Sequence, residues 1–299
     1  MLARYFPIGN WRAFTQLMMI STGSSSQRSY VFLAPQTREL EFAGIQARQA
    51  KQPYYRLLAE SQRLRGRIYL EDGAIGASEL TNDGRYVTDL DRHSWHLLTL
   101  GQQGRVMGCA RFLRHSQRVG FQELTVAHTP LATSAAWGPK LKKTVESQLA
   151  LSRTVDASFI ELGGWALTEE LRGTAEALIY VLISYAWSRQ LGGALGLTTA
   201  TVRNGSAKLL KKVGGKPLTT EDGEEIPPYF DHRYNCGMEI LSFDSRLPHS
   251  KFAGAVNQFE SRVSDFEVLR AEEAEVADED AQVRFAPELL PANRLSLVA

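Results

Sequence analysis

The chain has 299 residues, of which 43% are hydrophobic, and this is enough for the buried core of one large domain or two modest ones. Its 34 basic and 33 acidic residues leave a formal charge of +1, which excludes a global field that attracts nucleic acid or an anionic membrane. Any basic patch must therefore be local.

Two features bear on location. Cys109 and Cys236 lie far apart in the sequence and follow no disulfide or metal-ligand spacing, which is typical of a reducing compartment. The apolar run at residues 17–20 is too short for a signal peptide or a membrane span. We therefore expect a cytoplasmic protein with no membrane span.

The amino-terminal part divides into an extension and the start of a core domain. Residues 1–38 have weak hydrophobic periodicity and a Ser-rich tract, so they are predicted to form an N-terminal extension. The predicted core domain spans 39–245 and opens with a strand at 39–46. Pro53 then begins an amphipathic helix that Gly73 ends. Its predicted apolar stripe contains Tyr55, Leu58, Leu64, Ile68 and Leu70.

A hairpin and a basic helix follow. Strands are predicted at 93–100 and 105–114, because a Gly-Gln-Gln-Gly turn separates two apolar runs. A basic helix is predicted at 139–151, before an apolar strand at 158–167.

The second half alternates strands and helices. A long apolar helix is predicted at 175–190 and a strand at 195–202, after which Asn204 is expected to cap a short helix. A final strand pair is predicted at 229–233 and 236–243. This order predicts a mixed sheet with helices on both faces. Residues 246–299 are predicted to form a C-terminal helix and an acidic tail.

The strand before the long helix, the segment Arg172-Gly173-Thr174-Ala175-Glu176-Ala177 and Asn204 together resemble the thioester-binding half of GNAT acyltransferases. Small residues between a strand and a helix N-terminus let backbone N–H groups face a phosphate. The resemblance implies an α+β fold, an α/β/α sandwich whose mixed, mostly antiparallel sheet has a splayed central strand pair. It implies acyl-CoA or acyl-phosphopantetheine as cosubstrate, held by Trp165, Ala166, Leu167, Arg172, Gly173, Thr174, Ala175 and Asn204.

The amino-terminal half resembles acyl-homoserine-lactone synthases and N-acyl amino acid synthases. The matching residues are the acidic pair Asp89 and Asp91, the run Gly-Cys-Ala-Arg-Phe-Leu at 108–113, and Glu161 on the central strand. Gly163-Gly164-Trp165 replaces the Ser-Arg of the lactone synthases, which favours the N-acyl amino acid synthases. This resemblance implies transfer of a medium or long acyl chain from acyl-CoA or acyl carrier protein to the amine of an amino acid or related small molecule.

The candidates for catalysis are Glu161, Arg111 and Asp91. Glu161 is the expected general base, because a carboxylate on an apolar strand is costly unless it is paired or used. Arg111 is expected to pair with Asp91, Asp89 or Glu161 and to shape the amine site, although a purely structural ion pair gives the same pattern. The segment 207–215 resembles a GNAT helix in which a tyrosine protonates the leaving thiolate, but Leu210 occupies the tyrosine position. Thiolate departure is therefore expected to rely on water, on the acidity of the thiol or on another group. No histidine pair has metal-ligand spacing, so no metal is expected.

An acidic carrier protein would need basic residues beside the thioester entrance. The candidates are Arg203, Lys208, Lys211 and Lys212, with Lys140, Lys142 and Lys143 on the basic helix. Two other functions remain open: a short-chain N-acetyltransferase that uses acetyl-CoA, and a catalytically silent GNAT-like module that binds acyl-CoA.

Overall fold

A computed structural model describes residues 28–36 and 45–271. The strands are β1 (Ser29–Leu33), β2 (Arg48–Gln49), β3 (Ser94–Leu100), β4 (Val106–His115), β5 (Ser158–Leu167), β6 (Ala194–Thr201), β7 (Lys216–Pro217), β8 (Tyr229–Asp231), β9 (Cys236–Asp244) and β10 (Glu267–Arg270). The α-helices are α1 (Lys51–Glu71), α2 (Gly138–Thr154), α3 (Glu176–Gln190), α4 (Ser206–Val213) and α5 (Ser250–Glu260).

All these strands belong to one sheet. Its order is β2-β10-β1-β3-β4-β5-β6-β9-β7, with β8 paired to β9. The pairs β5–β6, β1–β10 and β10–β2 are parallel, and the other pairs are antiparallel. The predicted mixed, mostly antiparallel sheet is confirmed.

Helices cover both faces of the sheet. On β1, Phe32 packs in the cluster under α3 and α5, whereas Val31 and Leu33 pack under α1. Such alternation is what a strand between two layers requires. A third cluster joins α2 to β5, β6 and β9 on the same face as α1. The predicted three-layer sandwich is therefore confirmed.

The buried stripe of α1 differs from the predicted one. Leu58, Leu64 and Ile68 are buried as expected, but Tyr55 and Leu70 remain about 40% exposed (42% and 40%). Tyr54 and Leu57 are buried in their place, and the Tyr54 hydroxyl donates to the Ala34 carbonyl at 2.8 Å. The stripe repeats every three to four residues from Tyr54 through Ile68, and the two exposed residues lie off it.

The ends of the described chain enter the sheet. β1 lies within the segment predicted as an N-terminal extension, and β10 lies within the predicted C-terminal region. They pair in parallel, with Val31 opposite Glu267. The predicted domain boundaries at residues 38 and 245 therefore do not coincide with the edges of the sheet. The predicted strand at 39–46 falls mostly outside the described residues, as does the acidic tail from residue 272.

The remaining predicted elements appear within three residues of their expected ends. The turn of the β3–β4 hairpin contains Gln103 and Gly104 at φ 60° and 72°, which closes the tight connection. Gly73, at φ 69°, ends α1 as predicted. No helix in the described part of the chain is long and apolar enough to cross a membrane.

Candidate active site

The central strands β5 and β6 diverge partway along their length. Their parallel pairing runs from Ser158 opposite Ala194 to Leu162 opposite Thr198 and then stops. Both strands continue beyond this point, β5 to Leu167 and β6 to Thr201. The predicted splay is confirmed, and it leaves the backbone of residues 163–167 without a strand partner on the β6 side.

A β-bulge lies at the start of the splay. β4 pairs with β5 through Arg111 opposite Gly163 and through Cys109 opposite Ala166, so β5 contains one extra residue between these pairs. Gly164 has φ 62°, a value that L side chains rarely adopt. This is the bulge that the Gly-Gly pair predicts.

A cavity of about 230 Å³ occupies the splay. Predicted site residues in its lining are Arg111, Glu161, Trp165 and Asn204. Other lining residues come from several helices, strands and the connections between them, and they include Tyr69, Asp72, Thr125, Tyr180, Ser184, Thr198, Arg203, Leu210, Tyr234 and Met238. The cavity therefore brings residues from both predicted halves of the site together.

Glu161 is buried and accepts hydrogen bonds at both carboxylate oxygens. Its Oε2 atom accepts hydrogen bonds from His115 Nε2 at 2.9 Å, from Thr125 N at 3.0 Å and from Thr125 Oγ1 at 3.1 Å. Its Oε1 atom accepts only from Val126 N, at 3.3 Å, among the described residues. Burial raises the pKa of Glu161, but the bonds from His115 and Thr125 outweigh it and hold this pKa below its usual value. The side chain is therefore an anion at neutral pH.

Asp91 lies at the centre of a buried charge cluster. Arg65 binds it with two nitrogens, at 2.8 and 2.6 Å, and Gln62 donates to it at 2.9 Å. Arg111 Nη1 donates to Asp91 Oδ1 at 3.1 Å and to Thr88 Oγ1 at 2.7 Å. Burial raises the pKa of Asp91, yet Arg65 and the other cations hold it well below its usual range. Arg111 thus pairs with Asp91, one of its three predicted partners.

The β5 residues that are predicted to bind the pantetheine arm of the cosubstrate lie on both faces of the sheet. Trp165 lines the cavity and stacks on Tyr180 at 6.4 Å between ring centroids. Its indole N–H has no hydrogen-bond partner in the described part of the chain. Ala166 packs in the cluster under α1, and Leu167 packs on the α3 side.

The turn before α3 lies apart from the cavity lining. Arg172, Gly173 and Thr174 are exposed, and Ala175 is buried at the N-cap of α3. Gly173 has φ 74°. The first helical residue, Glu176, is buried with its carboxylate accepting from Thr99 Oγ1 at 2.6 Å.

Asn204 does not cap α4, contrary to the prediction. The residue before this helix is Gly205, at φ 76°, and no side chain caps the helix. Asn204 instead donates from Nδ2 to Asp72 Oδ2 at 3.1 Å, and Arg203 Nη2 donates to the Asp72 carbonyl at 2.7 Å. The loop before α4 is thereby tied to the end of α1 beside the cavity.

The predicted basic patch is largely neutralised within the chain. Lys140 pairs with Glu224, Lys143 with Glu221 at 2.8 Å, and Lys211 with Glu239; Lys142 lies 3.8 Å from Glu146. Lys208 and Lys212 have no acidic partner in the ranges 28–36 and 45–271.

Sequence reasoning missed several residues of this region. Arg65 could have been identified from the sequence, because it follows Leu58 at helical spacing and is a charged residue on the apolar stripe of α1. No sequence pattern identifies His115, Thr125 or Tyr234. His115 at the end of β4 and Thr125 in a loop bond Glu161, and Tyr234 lines the cavity from a turn. No group of three His, Cys, Asp or Glu side chains among the described residues is arranged to hold a metal ion.

Solved structures that are similar to the chain include two acyl-homoserine lactone synthases and an N-acyl amino acid synthase. The CoA-dependent acyl-homoserine lactone synthase BjaI, with SAM and isopentyl-CoA, has 14% identity, covers 83% of this chain and 96% of its own, and gives a TM-score of 0.50. The AHL synthase LasI has 17% identity, with 75% and 91% covered and a TM-score of 0.45. The N-acyl amino acid synthase FeeM, from uncultured soil microbes, has 10% identity, with 74% and 93% covered and a TM-score of 0.43.

No protein-family model and no curated protein matches the sequence. The likeness to BjaI extends over nearly all of that chain. The chain therefore has a GNAT-like fold.

Proposed function

We propose that the chain is an N-acyltransferase that moves an acyl group from a pantetheine thioester to a primary amine. The observation that carries the proposal is the juxtaposition, in one cavity, of unpaired β5 backbone and the buried carboxylate of Glu161. The first can hold an extended donor, and the second can receive a proton.

The pantetheine arm of the donor can bind where β5 and β6 diverge. Pantetheine contains two amides, and the backbone at 163–167 offers N–H and C=O groups that no neighbouring strand uses on the β6 side. An arm bound there replaces the missing strand pairing and brings its thioester toward Glu161. The phosphate end then points to the turn 172–175 at the positive end of the α3 dipole.

The chemistry needs an amine held beside the thioester carbonyl. Its nitrogen attacks the carbonyl carbon and gives a tetrahedral intermediate that carries an ammonium group. Glu161 takes a proton from this group, directly or through water, at the Oε1 atom that accepts a single hydrogen bond among the described residues. Because its pKa is lowered, Glu161 suits this acidic ammonium better than a free amine.

Arg111 supports an amino acid as the acceptor. Its bonds to Asp91 and Thr88 use Nη1 alone, and its Nε and Nη2 atoms make no hydrogen bond within the described residues. Arg111 lines the cavity, so these two donors match the fork that a carboxylate accepts. An amino acid bound there presents its amine near Glu161.

The cavity favours a short acyl group over the medium or long chain that the family resemblance implies. Its volume of about 230 Å³ is below the roughly 300–1,000 Å³ of sites that enclose drug-sized ligands. The similar BjaI structure contains isopentyl-CoA, a small branched acyl group. An N-acetyltransferase that acts on a small amine is the second candidate, and the same volume supports it.

The test is an amide-forming assay. Purified protein is mixed with acyl-CoA of two to sixteen acyl carbons and with a panel of amino acids and simple amines, while thiol release and amide mass are followed. We expect amide formation to be fastest with short acyl groups and carboxylate-bearing amines. Binding of acyl-CoA with no product would instead identify a silent acyl-CoA-binding module.

A further inference from the structure

Tyr234 brings a phenol side chain to the lining of the cavity. It lies in the four-residue turn between β8 and β9, where Asp231 pairs with Cys236 across the strand ends. Arg233 N donates to Asp231 Oδ1 at 2.9 Å, and Asn235 adopts φ 45°, so the turn is fixed on both sides of the tyrosine. Tyr234 lines the cavity, and its hydroxyl makes no hydrogen bond with any described residue.

The other two tyrosines of the cavity are already engaged. The Tyr69 hydroxyl donates to the Trp165 carbonyl at 3.5 Å. The Tyr180 hydroxyl is hydrogen-bonded to Thr99 Oγ1 at 2.8 Å, and because the single Thr99 proton goes to the Glu176 carboxylate, Tyr180 is the donor. Burial raises the pKa of Tyr234 although the positive charges of Arg233 and Arg111 oppose this. Its phenol therefore keeps its proton at neutral pH and has that proton to donate.

A proton donor near the thioester assists the reaction, because the sulfur leaves as a thiolate and must be protonated. Leu210, at the position of the tyrosine that is usual in GNAT enzymes, lines the same cavity and has no proton to give. Asp91 is held as an anion and has no proton to give, and Glu161 gains a proton only when it deprotonates the ammonium group. Arg111 bonds Asp91 and Thr88 through Nη1, and its Nε and Nη2 atoms are assigned to the carboxylate of the acceptor.

We propose that Tyr234 is the general acid that protonates the departing thiolate, an inference that rests on the proposed function. The C–S bond of the tetrahedral intermediate breaks and its electron pair goes to sulfur. The phenol proton moves to that sulfur and gives the free thiol. The phenolate then regains a proton, through water, from Glu161, which carries the proton that it removed from the ammonium group. The amide and the thiol leave, and the enzyme returns to its starting state.

The experiment compares two donors with the same acyl group. One is acyl-CoA, and the other is the thioester of nitrothiophenol, whose thiol is acidic enough to leave without a proton. Tyr234→Phe is expected to lower kcat with acyl-CoA by roughly 100-fold, with little change in KM. With the nitrothiophenyl donor the same variant should lose less than about threefold, because the acid is no longer needed.

Two variants serve as comparisons. Tyr55→Phe removes a hydroxyl from the exposed outer side of α1 and should leave both donors unaffected. Tyr69→Phe removes a cavity hydroxyl that is already bonded and should affect both donors alike. Equal losses with both donors in Tyr234→Phe, or donor discrimination in Tyr69→Phe instead, would overturn the assignment. Absence of thiol release by the unmodified protein with either donor would overturn the proposed function itself.

Discussion

Nη2 of Arg65 lies 2.6 Å from Oδ2 of Asp91, and both side chains are almost completely buried. The pair links α1 to the segment before β3, and Arg111 extends it to β4 beneath the cavity. Two charges taken out of water are stable only when their hydrogen bonds are satisfied. In this cluster Gln62 and Thr88 add neutral hydrogen bonds and both oxygens of Asp91 are bonded, whereas Arg65 Nε has no partner among the described residues.

Removal of one partner should therefore be costly. We expect Arg65→Met to lower the free energy of unfolding by roughly 3–5 kcal/mol, because it leaves Asp91 with a poorly compensated charge. Urea unfolding measures the loss. The matched control is Arg63→Met, which breaks the exposed 2.7 Å pair with Asp83 and should cost much less, because solvent screens that pair. Similar losses in the two variants would show that the buried pair contributes no more to the free energy of unfolding than the exposed pair does.

The environment of Glu161 predicts a pH effect. In the unmodified protein the lowered pKa of Glu161 keeps it ionised, so its titration affects the rate only in acid. His115→Phe removes the bond that lowers this pKa and leaves burial, which raises it. The acid limb of the kcat profile should then move to higher pH.

The control for this shift is His115→Gln, whose amide N–H can still donate to Glu161 Oε2. Its profile should lie between those of the unmodified protein and His115→Phe. Superimposable acid limbs in all three proteins would contradict the role of Glu161 as the base.

The bulge at Gly164 makes a second stability prediction. A Cβ atom there would lie 3.0 Å from Arg111 Cβ and 3.2 Å from Arg65 Nη1, at a backbone φ of 62°. Gly164→Ala should therefore cost roughly 1–2 kcal/mol for the backbone and roughly 1–3 kcal/mol for crowding. Gly223→Ala shares the positive φ, 83°, but meets nothing within 4 Å, so it should show the backbone cost alone. Equal costs for the two alanines would refute the crowding.

The neutralised lysines predict the nature of the donor. Because Lys140, Lys143 and Lys211 pair within the chain, an acidic carrier protein would find only a weak positive field. We expect acyl-CoA to be a better donor than acyl carrier protein by kcat/KM. A steep loss of rate with salt for the carrier donor, removed by Lys208→Glu with Lys212→Glu but not by Lys251→Glu, would reverse this expectation.

The sequence predicted the sheet best where apolar runs are long and bounded by glycines. β5 and α3 appear close to their predicted ends, and the Gly-Gly pair predicted the bulge. β1 was missed because its buried run is only a few residues long beside a Ser-rich tract. Its parallel partner β10 lies at the far end of the described chain, a pairing that no local pattern reveals.

The site was predictable only in part, for a similar reason. Residue type and strand position singled out Glu161 and Arg111, which the structure places at one cavity. Their partners were not predictable, because His115 and Arg65 reach them through tertiary packing. The roles of Glu161, Arg111 and the turn 172–175 in catalysis or donor binding remain predictions.

The parallel pairing of β1 with β10 also constrains synthesis. A ribosome completes β1 early, yet its β10 neighbour emerges only after residues 267–270 have been made. Until then one edge of β1 exposes unpaired backbone groups, which are a template for intermolecular association. A nascent chain that stalls before residue 267 should therefore be more prone to aggregate than the finished protein.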